Sequence, residues 1–417
     1  MKKIIPFLFF LPSVALAADY QLKHEIRSVS SIFFSDDNQD YQSSETSVVY
    51  SLDGSYYLSD TATLVSSFYV HLSDPDQMQD YFITPDEKES ESPYIDFTEF
   101  GLRWDLDETT YKIGKWKQNY EFAERLILLN QSSLDDNTFP LKVISVGNWL
   151  AQWQQFMDGG SLSLTVMPFH PAAGEPADDT RWGGVNSNGI IIQGDTNGIP
   201  LETDTPDISL IWEGQAERFD YLLGISRARS QYSVVKVNPE TRSFDIEYPD
   251  AVSLLGGISW PIEQMKFYME GHYQKTLQNK DDDFLRLSTG LRFNLFDYGD
   301  YLGWDDLTLT IEYMSDHTLE KQSAAGYDIS SKDSRPYQDS VYSIAKIKID
   351  ESWQVNQELS YGFKNDDSMS ITGFTYSFDD SSKLSVSYID YNGEEGKSLF
   401  GSWKDNDNVS LELEKDF

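Results

Sequence analysis

The chain has no cysteine among its 417 residues, so no disulfide holds it together. Small secreted scaffolds usually need such staples, whereas a closed, hydrogen-bonded sheet does without them. Beyond its first 17 residues it lacks any run near 18 consecutive apolar residues, which excludes a transmembrane helix. Basic residues are scarce: 32 Lys and Arg stand against 69 Asp and Glu, a formal net charge of −37. Phosphate backbones need a basic surface, so nucleic acid is excluded as a partner. Helix-period stretches and internal repeats of 20–50 residues are missing as well. Neither the zinc signature His-Glu-x-x-His nor the hydrolase elbow Gly-x-Ser-x-Gly occurs. No metal and no cofactor is expected.

What is present is aromatic and alternating. Ten Trp, 25 Tyr and 24 Phe, with a hydrophobic fraction of 39%, rule out wholesale disorder. At the start, Lys2 and Lys3 precede the apolar run Ile4–Leu16, which ends in Ala15-Leu16-Ala17. This pattern predicts a secretory signal peptide over residues 1–17, cleaved before Ala18, and one domain over 18–417. At the other end, Val409, Leu411, Leu413 and Phe417 share one parity, while Ser410, Glu412, Glu414 and Asp416 share the other. A strand sends successive side chains to opposite faces, so this segment has one apolar and one acidic face. The same alternation recurs throughout. In 307–314 the apolar set is Leu307, Leu309, Ile311 and Tyr313, and the opposite set is Thr308, Thr310, Glu312 and Met314.

This periodicity predicts about 18 strands, with 16 as the lower bound. They fall near 20–34, 44–58, 61–72, 94–106, 110–117, 147–157, 161–168, 206–213 and 218–229. The second half follows at 250–260, 265–275, 284–294, 306–315, 340–349, 353–364, 368–378, 383–391 and 409–417. Strand 1 changes parity around Ser28–Val29, which suggests a bulge. Short links alternate with long ones at 73–93, 118–146, 169–205, 230–249, 316–339 and 392–408. Sandwiches and propellers do not show that alternation.

A C-terminal amphipathic strand ending in Phe417, with Leu413, Leu411 and Val409 on its apolar face, resembles the assembly signal of Gram-negative outer-membrane β-barrels. Lys415 departs from that signal at an outward position. The resemblance implies an all-β fold, an antiparallel up-and-down transmembrane barrel of porin type with short periplasmic turns and long extracellular loops. It implies the barrel-assembly machinery as a partner during biogenesis, and outer-membrane lipid and lipopolysaccharide as surroundings. The acidic excess suits divalent-cation bridging at such a surface, although solubility accounts for most of it. Around Tyr111–Pro140, the run YKIGKWKQNYEFAER followed by Asp135-Asp136 and Phe139-Pro140 more loosely resembles alginate-export and related porin-like monomeric barrels.

Inward parity places Arg103, Lys112, Lys266, Arg286, Arg292, Lys346 and Lys348 on the lumen wall, with Glu270, Glu312 and Glu358 among fewer inward acids. Such a wall suits small hydrophilic solutes, anionic or sugar-like, held weakly enough to leave again. It also suits charges that pair and only stiffen the wall. In the loop 118–146, Leu126–Leu129 is too apolar to lie in water. Either the run packs on the barrel wall, or the loop enters the lumen and brings Glu121, Glu124, Arg125, Asp135 and Asp136 to the passage. The Gly- and Pro-rich loop 169–205 reads as a surface cap, and Asp281-Asp282-Asp283 as a solvated tip. The functional readings are a channel, a loop-gated export partner of an envelope transporter, and an outer-membrane barrel enzyme acting on surface lipid or protein, for which Asp316-His317 is an acid–His pair common by chance; the channel fits best.

Overall fold

In the computed structural model, residues 20–34, 43–74, 95–130, 134–136, 144–168, 182, 205–238, 243–296, 301–333, 335, 337–394 and 397–417 are described. The signal-peptide segment lies outside them. The strands are β1 (Tyr20–Phe33), β2 (Ser44–Ser59), β3 (Ala62–Asp74), β4 (Ile95–Leu106), β5 (Thr109–Trp116), β6 (Leu134–Asp136), β7 (Ile144–Val146) and β8 (Asn148–Met157). They continue as β9 (Gly160–Met167), β10 (Asp207–Gln215), β11 (Asp220–Arg229), β12 (Val234–Asn238), β13 (Ser243–Glu247), β14 (Asp250–Ile262), β15 (Met265–Thr276) and β16 (Asp283–Asn294). The last are β17 (Asp306–Glu320), β18 (Tyr327–Ile329), β19 (Ser340–Lys348), β20 (Trp353–Gly362), β21 (Asp367–Asp379), β22 (Ser382–Asn392) and β23 (Asn408–Asp416).

Eighteen of these form one sheet of antiparallel neighbours, and β23 pairs with β1 from Glu25↔Asp416 to Phe33↔Asn408, which closes it. The sheet is an 18-stranded up-and-down barrel. Its strands correspond one for one to those the alternation predicts. The remaining five lie in the long loops: β6 pairs with β7, and β12 with both β13 and β18.

The closure explains the alternation physically. A barrel leaves no unpaired edge, so backbone groups are satisfied within the wall and side chains divide between lipid and lumen. On β17, Ile311 and Tyr313 are exposed outward, while Thr310, Glu312 and Met314 are buried inward. On β23, Leu411, Leu413 and Phe417 face outward and Ser410 is buried. Lys415 keeps its outward position by reaching the neighbouring turn, where Nζ donates to Ser381 Oγ (2.7 Å) and Ser382 Oγ (2.6 Å). Its stem stays beside apolar surface while the charge reaches water.

Strand 1 carries no bulge. Its register against both neighbours runs without a shift, and Val29 is a buried inward residue. The apparent parity change comes from an apolar side chain on the lumen side.

Candidate functional site

Between β5 and β6 the chain leaves the wall, and over 117–130 it adopts no regular secondary structure. Such a backbone cannot satisfy its own N–H groups, and each must find an acceptor. Two wall carboxylates on strands far around the ring supply them. Glu270 Oε1 accepts from the N–H of Phe122 (2.5 Å) and Ala123 (2.8 Å), and Oε2 from Leu128 (2.6 Å) and Leu129 (3.3 Å). Glu312 Oε1 accepts from Glu124 (2.6 Å), and Oε2 from Arg125 (3.1 Å) and Leu126 (2.8 Å). Tyr268 completes the second clamp by donating its hydroxyl to Glu312 Oε1 at 2.5 Å. Its ring lies where a Cβ on Gly290 would come within 2.4 Å, so that glycine lets the tyrosine lie along the wall.

Apolar contacts hold the same loop. Tyr120 and Leu129 pack on Ile211, Leu222 and Leu255, with Phe122 alongside. All three wall residues point inward, where a uniformly polar lining would have none. Gly257 provides the seat: a Cβ there would lie 2.7 Å from Leu129 and 2.8 Å from Phe122. Burial pushes the Tyr120 hydroxyl up to about 12, so this anchor stays neutral at ordinary pH. Leu126 and Leu128 enter a larger cluster with Met314, Tyr342, Ile344, Met369, Ile389 and Tyr391 of the wall. The run Leu126–Leu129 thus packs on the inward side of the wall.

Other loops complete this filling. Within 169–205 the described residues are Trp182 and Thr205. Trp182 is buried, donates Nε1–H to Glu45 Oε2 at 3.1 Å, and meets Phe33, Tyr391 and Trp403 edge-on. At this residue the loop is an internal wedge and not a cap over the surface. Phe400, from the link between β22 and β23, joins the same cluster. From the link between β18 and β19, Arg335 reaches Asp316 with two hydrogen bonds of 2.7 and 2.9 Å, and Arg286 lies 3.5 Å away. Arg335 also stacks over Phe284, 4.1 Å from the ring centre. His317 points outward and is exposed. Asp316 is thus committed to two arginines, not to its neighbouring histidine.

The aspartate triplet is buried, contrary to a solvated tip. Asp281 accepts from the N–H of Ser331, Asp282 from Gln322 and Asp283 from Thr276, each at 2.8 Å. Asp281 and Asp282 thus hold the link between β17 and β19, and Asp283 closes its own turn onto the end of β15, which makes their density structural.

The predicted wall residues divide by sector. Glu270, Glu312, Lys266 and Arg292 come together under the docked loop. Lys266 Nζ donates to the carbonyl of Phe122 at 3.1 Å, and Arg292 pairs with Glu124 at 2.7 Å. Arg125 lies over the Tyr342 ring at 5.7 Å, and the Tyr342 hydroxyl donates to Glu358. Arg286 stands above, at the outer mouth. Lys346 and Lys348 lie nearer the short-turn end of β19 and are exposed, Lys348 beside Asp305 at 3.8 Å. Across the barrel, Arg103 pairs with Asp105 at 2.9 Å and faces Lys112 in register. Lys112 sits 5.4 Å from the Trp116 ring centre. Glu121 is an exposed loop residue. Asp135 and Asp136 belong to the β6–β7 hairpin, in backbone register with Ser145 and Ile144; their side chains lie outside the described residues.

Sequence reasoning missed the residues that oppose these. Arg27, Glu414 and Lys383 line up in register across the closing seam, with Glu414 3.3 Å from Arg27 and 3.2 Å from Lys383. Trp182, Arg335 and Tyr268 were missed too; only Trp182 carried a signal, as a lone large aromatic in a Gly- and Pro-rich stretch.

No known family profile matches the sequence, and no curated protein sequence matches it either. Solved structures do. OccK8 (OprE) of Pseudomonas aeruginosa is 8% identical with a TM-score of 0.58, covering 96% of this chain and 98% of its own. OccK11 (OpdR) of the same organism is 8% identical at 0.55, covering 95% and 96%. OccK2 (OpdF), solved in complex with glucuronate, is 10% identical at 0.54, covering 96% and 98%. At such identities the likeness establishes the fold alone: an 18-stranded antiparallel up-and-down β-barrel like that of these outer-membrane proteins.

Proposed function

We propose that the protein is an outer-membrane channel for small hydrophilic solutes, narrowed by its 117–130 loop, and that it favours anions. The supporting observation is the cationic underside of that loop. Lys266 and Arg292 flank it on adjacent strands, and Lys346 and Lys348 continue below, all on inward rows beside a polar wall. Charged rings at a constriction select by sign, and weak multiple contacts let a solute move on. Glucuronate in OccK2 is a small carboxylate sugar, in keeping with that chemistry. Of the wall acids, Glu270 and Glu312 are taken up by the clamp, Glu358 by the Tyr342 hydroxyl and Glu414 by the seam. Asp316 is bound to two arginines and His317 lies on the outer face, so this pair is not arranged as an acid–base couple, which supports the channel reading over the enzyme one.

Planar-bilayer recording is the test. The native protein should show stepwise conductance with anion preference, and K266E/R292E/K346E should reverse the sign of the reversal potential in a salt gradient. Conductance without charge preference in either form would refute the anionic reading; no conductance from folded protein would refute the open channel.

A second reading rests on the apolar filling of the outer half. Leu126, Leu128, Trp182 and Phe400 buried among wall residues make a closure that a partner in the envelope would have to displace. Conductance that appears only after the 117–130 loop is removed would favour this gated export route.

A further inference from the structure

The lipid-facing rows carry few charges, and those near the outer rim are not spread evenly. On β11 the outward set ascends through Leu223 and Ile225, both strongly exposed, to Arg227. On β15 it ascends through Met269 and Tyr273 to Lys275. The strand between them, β14, places Val252 in register with both: Arg227↔Val252 and Val252↔Lys275. Adjacent strands lie about 4.8 Å apart, so the two cationic residues stand about 10 Å apart at one height on the outer face. Ser226, Ser253 and Gln274, their inward neighbours, are buried, which fixes the outward direction of all three.

The local charges do not cancel. Lys275 has Asp283 at 3.8 Å, and Arg229, one turn of the pleat higher, has Asp250 at 4.0 Å. Arg227 is exposed and, among the described residues, pairs with no carboxylate. In a chain where acids outnumber bases two to one, an unpaired arginine at the top of an apolar face is unlike its surroundings. Its fork of donors suits a phosphate oxygen pair, and a lysine two strands away can meet the same group.

We infer that Arg227 and Lys275, flanking Val252, form a binding site for the phosphate of an anionic outer-leaflet lipid whose acyl chains lie on Leu223, Ile225 and Leu254. The assignment rests on the outer-membrane reading above. The apolar side chains directly beneath the cations place the phosphate at the hydrocarbon border, where a lipid headgroup sits and a free ion does not.

The test uses the full-length folded protein, delipidated in detergent and titrated with bis-phosphorylated lipid A under native mass spectrometry. R227A/K275A should need about tenfold more lipid for half-occupancy than the native protein. K383A, a lumen lysine, should match the native protein. Lipid A stripped of phosphate should bind both forms alike, and inorganic phosphate should not compete. Equal retention by native and double variant, or full competition by inorganic phosphate, overturns the lipid site. Folding of each variant is checked by heat-modifiable gel migration. Should the chain fractionate away from the outer membrane, the underlying reading fails, whatever the titration shows.

Discussion

The two halves of the lumen are built by the same strands and treat water in opposite ways. On β19 the inward row begins with Ser340, Tyr342 and Ile344, all buried, and ends with Lys346 and Lys348, both exposed. On β22, Ile389 and Tyr391 are buried above while Lys383 is partly open below. The switch occurs within one or two residue pairs, at the height where the 117–130 loop crosses. Facing the lumen is therefore not the same as facing water. Above the loop, inward side chains meet other side chains and become a core; below it, they line an aqueous vestibule.

The contrast depends on the loop staying docked, and its two carboxylate clamps are the place to break it. E270A/E312A strands seven backbone N–H groups, and each buried donor without a partner costs about 1–3 kcal/mol. The loop should leave the wall, raising single-channel conductance several-fold and exposing 117–130 to protease while the barrel remains heat-modifiable. Unchanged conductance and protease resistance would show that apolar packing alone holds it.

The outer filling has a separate support in Asp316. D316A leaves Arg286 and Arg335 buried without their counter-charge, a change that typically costs about 3–5 kcal/mol. Thermal unfolding should shift strongly downward, whereas D316N, which keeps the hydrogen-bond acceptor, should lose less. A smaller effect is expected at the loop's seat. G257V drives a side chain into the space of Leu129 and Phe122, and overpacking of this kind costs about 1–3 kcal/mol. It should raise conductance modestly; G257A should fall between it and the native protein. Equal conductance in all three would mean the seat is not tight.

Every barrel strand was legible because lipid enforces period-2 alternation on one face, and short and long links set the topology. The filling was not legible on the same terms. Inward Ile211, Leu222 and Leu255 break the polar row, yet the doublets Leu222-Leu223 and Leu254-Leu255 were visible as apolar residues on both parities. In the structure these doublets face protein on the inside and the exposed surface on the outside. The strands β6, β7, β12, β13 and β18 have only three to five residues and no lipid face, so no periodicity revealed them. Glu270 and Glu312 lie on inward rows of the wall, but their role depends on a loop backbone distant in sequence. Acidity alone could not distinguish a solute contact from a backbone acceptor, and the same holds for the Asp281–Asp283 triplet.

Outside the barrel, the small sheet of β12, β13 and β18 offers the finest test of how the loops are held. Burial alone would raise the Glu247 carboxyl, but the Tyr327 hydroxyl (2.7 Å) and Lys280 (2.9 Å) outweigh it and hold the group below its ordinary value. A carboxyl depressed in the folded state contributes stability that is complete above its unfolded value and fades as pH falls through the folded one. The protection of the amides at 234–238, taken as the observed rate against the intrinsic rate at each pH, should therefore be high at neutral pH and fall once the pH drops below about 4, the region of an unperturbed Glu. The effect is small, because the group is largely exposed and screened. E247Q should show lower protection at neutral pH and lose the acid dependence of that protection, with the conductance of the barrel unaltered. A pH response that survives in E247Q would move the cause to another group and separate this sheet from the clamp beneath it.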